Sequence, residues 1–194
     1  MRVACASGKG GSGKSSVSAL LALSLAAAGK GVRVSDHDPQ LALLGWMEHL
    51  GGKNLVAFRK LSPTAGIVGE GEPQHEIGDF APGEPHALAG QVAGWDLVLI
   101  PTRPSPMDVK AASAFASALA DPTRARIVWN ALDASRLSSP QALQRMLAPH
   151  PHLKPMRAGL KNRAAYRYAQ IEGVAALTHD AKQEFLALGM EVFA

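Results

Sequence analysis

Gly8-Lys9-Gly10-Gly11-Ser12-Gly13-Lys14-Ser15-Ser16 is the stretch on which the reading of this chain turns. It follows a short apolar run, residues 3–6, and opens a long Ala/Leu-rich segment, residues 17–28. Strand, glycine loop, helix is the context in which G-x-x-x-x-G-K-[ST] forms a phosphate-binding loop. Glycines let successive backbone N–H groups turn toward one centre, and the following helix adds its positive N-terminal end. In that geometry Gly10, Gly11, Ser12, Gly13, Ser15 and Ser16 line the phosphate cradle. Lys14 reaches the β- and γ-phosphates, and the Ser15 hydroxyl sits on Mg²⁺.

At 194 residues the chain can bury a sizeable core and is most simply one domain over residues 1–194. With 47% apolar and 19% charged side chains it has the makeup of an ordinary water-soluble protein. No apolar run approaches the ~20 residues of a membrane span. One arginine and a brief apolar run ahead of the loop do not make a signal peptide, so cytoplasm is the expected compartment. Cys5 is the only cysteine. That excludes an intrachain disulfide and any cluster or zinc site needing two thiolates from one subunit.

Residues 2–6 read as a first strand and 15–28 as a first helix, stopped by Gly29. Residues 31–36 make a second strand ending on a carboxylate, Asp36. Asp36-His37-Asp38-Pro39-Gln40 follows, then a helix through Leu50 ended by Gly51-Gly52. A carboxylate at a strand end beside a phosphate loop sits where Mg²⁺ and an attacking water must be arranged. Asp38, just before Pro39, also fits a helix N-cap. Residues 54–58 read as a short strand, and 66–90, rich in Gly, Pro and Glu, as a surface loop. Strands at 97–100 and 126–130, a ragged one at 153–160, and helices at 107–119, 140–147, 162–173 and 179–188 complete the reading. Alternation without an internal repeat predicts a doubly wound, mainly parallel α/β sheet.

The net charge of +4 is unevenly spread. Residues 1–133 hold twelve basic and twelve acidic side chains, whereas 134–171 hold seven basic and no acidic ones. A one-signed block points to a polyanion surface. Lys161 and Arg167 are its candidate DNA contacts by charge, Arg167 standing four residues from Arg163 on one predicted helical face. Residues 180–194 carry three acids and one lysine, the wrong sign for anionic lipid.

Lys9-Gly10-Gly11-Ser12-Gly13-Lys14-Ser15 resembles the deviant Walker A loop, K-G-G-x-G-K-[ST], of ParA/MinD-type ATPases. Asp36-His37-Asp38-Pro39-Gln40 is similar to that family's second motif, and Trp95-Asp96-Leu97-Val98-Leu99-Ile100-Pro101-Thr102-Arg103-Pro104-Ser105-Pro106-Met107-Asp108 looks like the segment that follows Walker B in small plasmid-partition members. The resemblance implies that Lys9 acts across a dimer interface on the partner's nucleotide. It implies that Asp36 supports Mg²⁺ through water, that Asp38 orients the water attacking the γ-phosphate, and that Asn130 contacts adenine. Counting back from residue 95 in the family's spacing lands on Ile77-Gly78-Asp79-Phe80-Ala81-Pro82-Gly83 and makes Asp79 the Walker B acid. Pro73-Gln74-His75-Glu76 ahead of it departs from the apolar strand expected there.

The same resemblance implies ATP and Mg²⁺ as cofactors and an ATP-dependent homodimer. It further implies a non-specific hold on nucleoid DNA, for which Arg163 matches an arginine common in the C-terminal part of the family. A ParB-like or adaptor partner that stimulates slow hydrolysis is implied too, the output being segregation of a plasmid or other cargo. Two alternatives share the loop. One is a nucleotide-dependent binding module with weak or no hydrolysis, motivated by the polar approach to Asp79. The other is a phosphotransferase or ligase, against which Lys9 stands.

Overall fold

The computed structural model describes residues 1–172 and 174–193. Its strands are β1 (Arg2–Cys5), β2 (Val32–His37), β3 (Phe58–Ser62), β4 (Ala65–Val68), β5 (His75–Phe80), β6 (Leu97–Thr102) and β7 (Ala125–Trp129). Its α-helices are α1 (Lys14–Ala27), α2 (Ala42–Gly52), α3 (Pro85–Gln91), α4 (Pro106–Ala118), α5 (Pro140–Leu147), α6 (Ala164–Glu172) and α7 (His179–Phe193). The sheet runs β3-β4-β2-β5-β1-β6-β7. β2, β5, β1, β6 and β7 are parallel, and the β3–β4 hairpin is added antiparallel on the β2 side. One apolar layer joins the sheet to α1, α2, α6 and α7 through residues such as Leu20, Met47, Ala169 and Phe185. The other joins it to α3 and α4 through Leu88 and Phe115, with Leu143 and Leu147 of α5 packed against it. The predicted doubly wound α/β sheet is the observed one, and the carboxyl ends of β1, β2, β5, β6 and β7 converge on one rim.

Residues 66–90 are not a surface loop. They form β4 from Ala65, the central strand β5 and the helix α3. The polar start of β5 hid it, and its neighbours explain that start. Glu76 lies in register between Arg2 of β1 and Arg33 of β2. Arg2 Nε reaches its carboxylate at 3.0 Å, Arg33 Nε at 3.8 Å, and Ser35 Oγ donates to it at 3.0 Å. A charge that would be costly alone is thus paired at the sheet's lower rim, and Ile77 to Phe80 beyond it are buried. Gly78 interrupts the apolar run because the Trp95 ring occupies the space of a β-carbon.

Three boundaries also move. Strand β3 begins at Phe58, not Asn54, because Asn54 takes a left-handed conformation (φ 54°) that closes α2 after Gly51 and Gly52. Residues 153–160 lie beside β7 without forming a strand. Isolated bridges and bonds such as Ile127 N–H to Lys154 O (2.9 Å), Met156 N–H to Ile127 O (2.8 Å) and Leu160 N–H to Trp129 O (2.9 Å) hold them, and Pro155 has no N–H to donate to a continuous ladder. Helix α7 continues past Leu188 to Phe193. The predicted end of the preceding helix at Gly173 lies outside the described residues.

Candidate nucleotide site

The loop between β1 and α1 owes its path to two glycines in the left-handed region, Gly11 (φ 69°) and Gly13 (φ 96°). Gly13 has a second reason to lack a side chain: the Asn130 amide fills the position a β-carbon would take. Side chains brace the backbone of the loop. Asn130 Nδ2 donates to Ser12 O at 2.8 Å, the Arg103 guanidinium donates to Gly11 O, and Lys14 Nζ donates to Lys9 O at 3.5 Å. A cleft of about 230 Å³ is bounded by Gly10, Gly11, Gly13, Lys14, Ser15, Ser16 and, opposite them, Asp38, Gln40 and Pro82. Lys14 is buried, which pulls its ammonium below the usual lysine range while Asp79 and Asp38 pull it back up.

Three carboxylates converge on this cleft from the ends of β2 and β5. Asp36 and Asp79 are register partners on the two strands. Asp79 is fully buried, and neither carboxylate oxygen receives a hydrogen bond. Burial pushes its carboxyl up to about 7, the nearby Asp36 adds to the rise, and Ser15 and Lys14 oppose it. Asp36 is committed differently. Its Oδ1 accepts from the Asp38 N–H at 3.1 Å, and its Oδ2 from the N–H groups of Leu43 and Leu44 at 3.0 and 3.2 Å. It, and not Asp38, caps α2, whose preceding residue Leu41 is left-handed (φ 50°) and offers no side-chain cap. Asp38 closes its own turn by accepting from the Gln40 N–H at 2.9 Å. Burial raises the Asp36 carboxyl above its usual range against those hydrogen bonds.

Lys9, on the outer lip, is ion-paired to Asp108 in the first turn of α4. Asp96 stands at the other end of the sheet, where its carboxylate accepts from the Arg2 N–H.

The model of the CobQ/CobB/MinD/ParA nucleotide-binding domain matches residues 3–180, nearly the whole chain. The chain belongs to this family. No curated protein matches it. Among solved structures it is similar to the septum site-determining protein MinD from Pyrococcus horikoshii OT3 complexed with Mg-ADP (18% identity, TM-score 0.72, covering 99% of this chain and 95% of that one). It is also similar to a putative plasmid partition protein from Borrelia burgdorferi B31 bound to AMPPNP (15%, 0.73, 99% and 98%). A third is a Cyanothece McdA variant in complex with ATP (16%, 0.70, 98% and 95%). At these identities the likeness is one of fold.

In this CobQ/CobB/MinD/ParA-family chain the glycine loop, Asp36, Asp38, Asp79 and Asn130 lie together on one rim, as the strand-end argument anticipates. Lys161, Arg163 and Arg167 lie elsewhere, at and just before α6. Arg163 precedes α6, and its guanidinium holds Glu184 of α7 at 2.6 Å and Asp180 at 3.5 Å. Lys161 donates its N–H to Glu184 at 3.1 Å and leaves an exposed ammonium 3.9 Å from that carboxylate. Arg167 is exposed on α6. Burial opposes charge on Glu184, yet hydrogen bonds from Arg163, the Lys161 N–H and Tyr166 keep its carboxyl below the usual range. The one-signed block is therefore partly neutralised by α7, whose Glu191 also accepts from the N–H groups of Arg157 and Ala158 at 2.8 Å each. Sequence reasoning missed Arg103 and Asp108 as site residues. Arg103 stands just past the end of β6 and Asp108 in the first turn of the helix that follows, within the segment that resembles the family's.

Proposed function

We propose that this chain is an ATP-dependent positioning ATPase of the ParA type, acting as one domain. Two copies close on two Mg·ATP, the closed pair holds DNA without sequence preference, and slow hydrolysis, stimulated by a ParB-like or adaptor protein, releases it. The observation that carries the reading is Lys9. It is a second lysine in a loop whose phosphate-facing lysine, Lys14, is already in place, and it is turned outward to the lip, away from its own cradle.

The residues suit a magnesium nucleotide. Asp79 offers two buried oxygens without partners beside Ser15, and Ser12 a buried hydroxyl without one. Ser15 and Asp79 would hold Mg²⁺, with Asp36 behind them. The ion, when bound, would neutralise charge on the β- and γ-phosphates. Lys14 binds phosphate from its buried position, and Asp38, across the cleft, orients water toward the γ-phosphate. Relatives of this fold complexed with Mg-ADP, AMPPNP and ATP support the choice of nucleotide. The motive for a non-hydrolysing module weakens, because β5 is a full six-residue strand at the sheet's centre.

The test is light scattering after gel filtration with AMPPNP or ADP. A dimer with AMPPNP only, lost in Lys9→Ala, is the expected result. A Lys9→Ala protein that still dimerises would move the assignment to a phosphotransferase or ligase.

A further inference from the structure

We propose that Arg103 is a positioning residue that presets the phosphate loop, turning its amides into the cradle before nucleotide arrives. It rests on nucleotide binding at the loop alone, so its failure would leave the dimer and DNA reading standing.

The argument starts from the peptide unit. In a trans peptide the C=O of one residue and the N–H of the next point in opposite directions. A side chain that holds a loop carbonyl outward therefore turns the following amide inward. Arg103 on Gly11 O orients the Ser12 N–H in this way, and Asn130 on Ser12 O orients the Gly13 N–H. The peptide Arg103 holds is the one that most needs it. Gly11 is left-handed and without a side chain, its neighbour Gly10 would meet nothing within 4 Å if it carried a β-carbon, and both are exposed. Such a peptide flips readily, and ordering it on binding would subtract from affinity.

Arg103 is fixed at its base. Thr102 is buried, its carbonyl accepts from the Asn130 N–H at 2.9 Å, and the Arg103 carbonyl accepts from the Ser105 N–H at 2.8 Å. Pro104 restricts the backbone on the other side. The two bracing side chains thus stand on adjacent strand ends, β6 and β7, joined by a backbone hydrogen bond. No carboxylate among the described residues forms an ion pair with Arg103. Its bond to the loop is not the by-product of a salt bridge.

The experiment measures ADP and AMPPNP affinity by calorimetry for Arg103→Ala and Arg103→Lys, with the thermal midpoint of each nucleotide-free protein. A residue that shapes the loop acts on both nucleotides. Arg103→Ala should weaken both about tenfold at an unchanged midpoint, and Arg103→Lys, which keeps one donor, should recover part of the loss. Unchanged affinities would overturn the proposal. So would a loss confined to AMPPNP, which would put the guanidinium on the γ-phosphate, or a lowered midpoint, which would make Arg103 a general structural contact.

Discussion

Lys9 and Asp108 close an ion pair across the lip of the nucleotide site, one from the glycine loop and the other from the first turn of α4. The two ends are unequal: Asp108 is nearly buried at 5% exposure, while Lys9 keeps 48% of its side chain in solvent. Asp108 is at home there, since a carboxylate in a first turn is favoured by the helix dipole. Lys9 is the mobile end. In the proposed dimer it must leave Asp108 for the partner's nucleotide, so the pair restrains the free chain.

Replacing Asp108 by Asn should therefore strengthen AMPPNP-dependent dimerisation, by roughly two- to fivefold given the modest worth of a half-exposed pair. Analytical ultracentrifugation would show it as a lower monomer–dimer constant. A weaker dimer would mean that Asp108 serves the closed state instead.

Asp79 should make the nucleotide-free protein sensitive to pH. In the fold its carboxyl is raised from 3.8 to about 7, burial being the main cause. The folded state thus binds a proton that the unfolded chain has already lost. That contribution to stability is fully present below about pH 4 and disappears as the pH rises through 7. Asp79→Asn, neutral throughout, should raise the melting temperature at pH 8 by roughly 5–10 °C without Mg²⁺ and change it little at pH 4. Equal effects at both values would refute the shift.

Asp36→Ala should act on stability even without nucleotide. It strips the acceptor from the Leu43 and Leu44 N–H groups at the start of α2 and from Asp38. A loss of about 1–2 kcal/mol is expected. Urea unfolding with an unchanged m-value is the check, and wild-type stability would show that water replaces the carboxylate at no cost.

The two arginines of the basic block should separate. Arg167→Glu changes an exposed side chain and should weaken binding to a random-sequence duplex with the melting temperature unmoved. Arg163→Glu faces Asp180 and Glu184 with a third carboxylate and should lower the melting temperature first. If Arg163→Glu melts like wild type, α7 does not depend on that pair.

Most of the rim was legible because it is built from local patterns: a glycine loop between strand and helix, and acids where apolar runs stop. The α/β alternation follows from the same periodicities. What escaped was set by partners distant in sequence. The polar start of β5 reads as loop until Arg2 and Arg33 stand on either side of Glu76. Arg163 reads as a free cation until α7 folds back over it. Asp36 reads as a metal acid, yet its oxygens cap α2, a use that depends on a left-handed Leu41 no local rule anticipates. Arg103 was visible only as a residue just beyond a strand end, and Asp108 only as the last residue of the segment similar to the one that follows Walker B.

The central claim is a DNA hold switched by the nucleotide. Fluorescence anisotropy of a labelled 60-base-pair duplex of arbitrary sequence, at moderate salt, tests it directly. Binding with AMPPNP, its absence with ADP or without nucleotide, and its loss in Lys9→Ala are the predicted results. Equal binding in all three nucleotide states, or none in any, would contradict the account.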